Sequence, residues 1–140
     1  MKMKILTVAQ MRRAEQECAK SGISTSVLME NAGKAVAEEV KRILGTVEQK
    51  SILLLIGPGN NGGDGLVTAR YLHDWGAQIS LYLFGQRAPD DTNFRLVRER
   101  GITCVDAAGS KNLDWLDNYL PSATAVIDAI FGTGNIRPIS

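Results

Sequence analysis

Residues 57–65 read "GPGNNGGDG", five glycines, two asparagines and one aspartate in nine positions, directly after the apolar run "SILLLI" at 51–56. A continuous apolar run of that length is the pattern of a strand buried on both faces. Glycines after it serve a turn with positive φ or a close backbone approach. The expected order is a strand over 51–57, a glycine turn, and a helix over about 64–75 that Gly76 ends.

The same unit recurs downstream. "ISLYLFG" (79–85) reads as a second strand and "TNFRLVRER" as the helix after it. "ITCVD" (102–106) is a third strand, "NLDWLDNYL" (112–120) a helix, and "TAVIDAIFG" (124–132) a fourth strand. Upstream, the capping pattern "TVAQ" opens a helix over 8–20. After "SGIS", Leu28, Ala32, Ala35, Val36, Val40 and Ile43 share one helical face, with Gly45 as the stop. Strand–helix alternation with short connections requires right-handed crossovers and a parallel sheet with helices on both faces. The fold class is therefore α/β, a Rossmann-like doubly wound sheet in three layers, with residues 1–140 forming one domain. In such a sheet the strand at 124–132 lies beside the strand at 51–57. Left without a neighbour on its other flank it would be an exposed apolar edge. The domain is thus expected to continue past Ser140.

Gly57, Gly59 and Gly62 satisfy G-x-G-x-x-G between a strand and a helix, the context of a dinucleotide fingerprint. Two features disagree with ordinary dinucleotide binding. The ribose-binding acid expected after the second strand is replaced by Gly85, Gln86 and Arg87. Asp64 also stands at the expected helix start, where a phosphate needs N–H donors and an unpaired carboxylate would repel it. A Walker-type phosphate loop is absent. A second constellation, "DAIFGTGNIR" (128–137), follows the fourth strand as the glycine turn follows the first. It supplies Asp128, Gly132, Thr133, Gly134 and Arg137. Both turns are expected to open into one crevice where the strand order reverses, with Asp64 and Asp128 crowded there.

Bulk properties remove other classes. Sixteen basic residues stand against fifteen acidic ones, a formal charge of +1, so nothing favours nucleic acid or an anionic membrane. No run of about eighteen apolar residues exists to span a bilayer. Cys18 and Cys104 form no metal-type pair and read as buried thiols in a reducing, cytoplasmic compartment. His73 reads as a surface residue, Trp75, Trp115 and Tyr119 as helix-to-sheet packing, and Arg12, Arg13, Arg95, Arg98 and Arg100 as solvated helix faces. Arg87 stands where an adenosine phosphate could reach. Glu30 and Asn31 touch either a loop or a ligand.

"GPGNNGGDGLVTARYL" (57–72), "VIDAIFGTG" (126–134) and "LMENAGKAVAEEV" (28–40) together resemble the YjeF N-terminal domain family, the NAD(P)H-hydrate epimerases. The resemblance spans residues 4–138. It implies an isomerase that interconverts the R and S forms of hydrated NADH and NADPH, working with an NAD(P)H-hydrate dehydratase, fused or separate, and forming a homodimer. It also implies that Asn60, Asn61, Gly62, Gly63 and Asp64 contact the hydrate substrate. Gly132, Thr133, Gly134, Asn135, Ile136, Arg137 and Pro138 are implied to line its phosphate-bearing part, and Asn61 and Asp128 to ligate a potassium ion. The family's further segment, a strand ending in a proline-serine-glycine loop, is not within these 140 residues. Epimerising a carbinolamine carbon moves a proton and develops a cationic carbon, work suited to Asp64 or Asp128, with Asp128 the preferred acid–base group. The rival reading is a non-catalytic nucleotide- or protein-binding module. Retention of both acids favours the enzyme.

Overall fold

The computed structural model describes residues 4–7, 25–88, 90–109 and 112–130. The helix expected over 8–20, with Arg12, Arg13 and Cys18, and the segment 132–138 lie outside the described residues.

Five parallel strands form one sheet: β1 (Lys4–Thr7), β2 (Ser51–Ile56), β3 (Gln78–Leu83), β4 (Thr103–Asp106) and β5 (Ala125–Ala129). Their order is β1-β5-β2-β3-β4, all pairs parallel. Among the described residues four α-helices connect them: α1 (Thr25–Leu44), α2 (Asn60–Asp74), α3 (Thr92–Glu99) and α4 (Asn112–Tyr119). The three-layer, doubly wound reading holds, and the order reverses between β2 and β5 as expected.

The pleat explains the layers. Ile52, Leu54 and Ile56 of β2 and Ile79, Leu81 and Leu83 of β3 point to one face. There they meet Val36 and Val40 of α1, Leu66, Ala69 and Leu72 of α2, and Val97 of α3. Leu53, Tyr82 and Val126 point to the other face and meet Trp115, Leu116 and Tyr119 of α4. Trp115 lies nearly parallel to both Tyr82 and Tyr119, with centroids 6.2 and 4.9 Å away. Trp75 packs against the first cluster. The expected packing roles of these aromatic residues are borne out.

Four expectations change. The outer flank of β5 is not bare: β1 covers it, pairing Ile5 with Val126 and Leu6 with Ile127. A four-residue strand whose partner lies some 120 positions away leaves no local periodicity to read. Second, α2 begins at Asn60, with Gly59 as its N-cap, so most of the glycine turn is helix. Third, Cys104 is exposed, because β4 is the edge strand and its thiol lies outside both clusters. His73, expected on the surface, is half-buried. It lines a cavity of about 340 Å³ at the amino ends of the strands, away from both turns. Among the described residues no helix is long and apolar enough to cross a membrane.

Candidate functional site

The carboxyl ends of β2 and β5 are neighbours in register, Leu55 beside Asp128 and Ile56 beside Ala129. Gly57, the first residue of the turn, donates its N–H to the Ala129 carbonyl at 3.0 Å, so the two turns leave the sheet joined. This is the topological switch point where open α/β sheets bind ligands.

The helical course of the turn changes the meaning of its residues. Asn61 and Asp64, three apart and on one side of α2, are both buried, Asp64 completely. A β-carbon on the next residue, Gly65, would stand 2.6 Å from the Ala129 β-carbon and 2.8 Å from Ile56 Cδ1. The helix therefore rests directly on the ends of β2 and β5, and only glycine permits that approach. Asp64 is one turn inside the helix. It does not block the first-turn amides as the sequence suggested.

Asp128 approaches from the other side. Its neighbours Ile127 and Ala129 face α2, so the pleat turns Asp128 toward the face that carries Val126 and α4. Its Oδ1 accepts the Ile130 N–H at 3.0 Å. The topology thus brings Asn60–Asp64 and Asp128 to one end of the sheet.

Two groups whose partners the sequence does not reveal support the site. Thr68 Oγ1 donates to the Gly33 carbonyl at 2.8 Å and lies 3.0 Å from the Asp64 carbonyl. Gly33 belongs to the "ENAG" stretch, and a β-carbon there would press on Val67 and the Asp64 carbonyl. Glu30 of the same stretch binds Arg70 and accepts the Tyr71 hydroxyl, which raises the phenol above its ordinary pKa. "ENAG" therefore seats α1 on α2. Glu30 is part of that seat, and Asn31 is exposed. The second group is Arg87. Its side chain is 9% exposed, with Nε 2.8 Å from Asp91 Oδ2 and Nη1 2.9 Å from the Gly57 carbonyl. Placed as it is, it braces the turn. Arg100 likewise leaves its solvated role and pairs with Asp74 across two helices, holding that carboxyl below its usual pKa. Spacing alone carries no signal for either contact.

Asn61 and Asp128 carry oxygen donors of the kind a hard cation takes, and both stand at the carboxyl end of the β2–β5 pair. Among the described residues there is no group of three or more His, Cys, Asp or Glu that would suit a transition metal.

Known proteins share this sequence pattern and this fold. A bifunctional NAD(P)H-hydrate repair enzyme of Thermofilum pendens is 37% identical over 98% of this chain, which spans 26% of that relative. An NAD(P)H-hydrate epimerase of Rhodobacter capsulatus is 36% identical over 97% of this chain and 65% of its own length. The crystal structure of the yeast protein YNL200c superposes with a TM-score of 0.71 at 26% identity, covering 99% of this chain and 60% of that one. Residues 25–140 match the family model described as YjeF-related protein N-terminus. The chain belongs to the YjeF-related N-terminal family.

Proposed function

We propose that this chain is the epimerase part of a nicotinamide-cofactor repair enzyme, interconverting the R and S forms of hydrated NADH and NADPH. The reading rests on one observation above others: the buried Asn61–Asp64 pair on a helix seated, through Gly65, on the switch point between β2 and β5. Relatives named NAD(P)H-hydrate epimerase and bifunctional repair enzyme carry the same domain, and the second kind supports a dehydratase as partner, fused or separate. The chain spans 26–65% of the length of these relatives.

The chemistry asked of the residues is modest. A carboxylic acid protonates the ring hydroxyl at C6, the C–O bond breaks, and water departs from an iminium carbon. Water returns from the opposite face and its proton goes back to the carboxylate, so atoms and charge balance. Asp128, partly exposed at the mouth of the strands, suits this proton traffic. Asp64, fully buried, would not touch the ring and would support the cationic carbon only through its field. First-turn amides of α2 and the segment Gly132–Pro138 would take the phosphate-bearing part of the ligand. A potassium ion held by Asn61 and Asp128 would supply positive charge that keeps the neighbouring carboxylate ionised and fixed. The pool of hydrated cofactor this serves is cytoplasmic, and the working form is a homodimer.

The test adds hydrated NADH to the full-length protein and follows R-to-S conversion by chromatography. Expected is conversion well above the spontaneous rate, reduced about 10²-fold or more by Asp128→Asn and also by Asp64→Asn. Conversion at background by the folded wild-type protein would leave a binding module. Full rates in both variants would refute the acid–base assignment.

A further inference from the structure

We infer that Arg87 is a positioning residue for the glycine turn, clamping the first turn of α2 and closing the side of the crevice where an ordinary dinucleotide fold holds its adenosine ribose. The inference rests on the proposed epimerase reading for its kinetic consequence, though not for its geometry.

In ordinary dinucleotide-binding domains an acid at the end of the second strand of the unit receives the ribose hydroxyl. Here the chain leaves β3 through Gly85 and returns a guanidinium instead. Arg87 Nη1 donates to the carbonyls of Gly57 and Gly59, at 2.9 and 3.2 Å, and Nε donates to Asp91 Oδ2 at 2.8 Å. The guanidinium lies over the start of the helix: a β-carbon on Gly62 would stand 2.8 Å from Nη1, and one on Gly63 3.6 Å from Nη2. Asp91 is itself fixed, since its Oδ1 caps α3 by accepting from Asn93 N at 3.0 Å and Phe94 N at 3.2 Å. A continuous path runs from the α3 cap through Asp91 and Arg87 to the two carbonyls that bracket Pro58.

The turn needs such a brace. Gly59 offers no side-chain cap, and three of the helix's first six residues are glycines, each entropically costly in a helix. A cation beside a helix N-terminus opposes the dipole, so its presence there has to be offset by the carbonyls and carboxylate it joins. Only a planar fork reaches three acceptors at once. An ammonium would not.

The experiment uses the full-length protein carrying Arg87→Ala, Arg87→Lys or Asp91→Asn. Asparagine still caps α3, so Asp91→Asn isolates the link to Arg87. Expected is a roughly ten- to hundredfold fall in kcat/KM for Arg87→Ala, because slight misplacement of binding groups is enough. Millimolar guanidinium restores much of it and methylammonium does not, while Arg87→Lys recovers little. Backbone amide exchange at Asn61–Gly63 speeds up about tenfold or more in Arg87→Ala and, less, in Asp91→Asn. Unchanged kcat/KM, or equal rescue by methylammonium, overturns the clamp. If the wild-type protein shows no epimerisation, that reading fails separately and amide exchange alone judges the clamp: unchanged exchange refutes it.

Discussion

Gly65 shows what the glycines of the turn are for. In an isolated helix alanine would be better than glycine by about 1 kcal/mol. Here a β-carbon would enter the space of Ala129 and Ile56, both fixed in the sheet. Gly65→Ala is therefore expected to lower stability, by a net of about 1–2 kcal/mol once overpacking is set against propensity. Gly59→Ala serves as the contrast, with a φ of −91° and open space around it, and should leave the midpoint of urea unfolding nearly unchanged. The run of glycines was visible in the sequence as something special. That it marks close packing inside a helix was not, because the atoms that demand it arrive from β5, some sixty positions later.

At the scale of elements, α2 is seated by a buried hydroxyl and a half-exposed ion pair. Thr68 ties α2 to the Gly33 carbonyl out of contact with solvent, whereas Glu30 is partly solvated. Thr68→Val is expected to cost about 1 kcal/mol, the net value of one internal hydrogen bond. Glu30→Gln should cost less, since it keeps an acceptor and loses only a screened charge. Urea titrations of both variants check the order; a larger loss from Glu30→Gln would contradict it. Most elements were legible: β2, β3, β4 and α1 stand within about two residues of their expected positions, because apolar run length and helical spacing are local properties. The start of α2 was misplaced by four residues, since tertiary contacts at Gly62 and Gly65 override what glycine prefers alone. Arg87 could be seen to differ from an acid. Its direction, back into the turn, depends on Asp91 and on carbonyls thirty residues upstream.

For the molecule as a whole, β1 decides how the sheet ends. It is four residues long and pairs only with β5, yet it covers a strand whose residues Val126 and Ile127 would otherwise meet solvent at an open edge. Removing residues 1–7 should leave that edge ready to pair with other chains. Light scattering after size-exclusion chromatography is expected to show species larger than those of the intact chain. An unchanged profile would mean that some other segment takes over the flank. Family, fold class and the switch point were readable before any coordinates, because two turns with matched chemistry follow two strands. The way each acid leaves its element was not, since it depends on the pleat of β5 and on the helical course of the turn, which a turn's composition does not record.

The late position of β5 has a consequence during synthesis. The strand is the last of the five described strands in chain order yet sits between β1 and β2, so the interior gap stays open until residues 125–129 leave the ribosome. Until then β1 has no partner at all, and β2 through β4 form an incomplete sheet with an apolar border. Closing that gap joins segments about 120 residues apart in a single event, the kind of long-range pairing that slows folding and invites capture by chaperones.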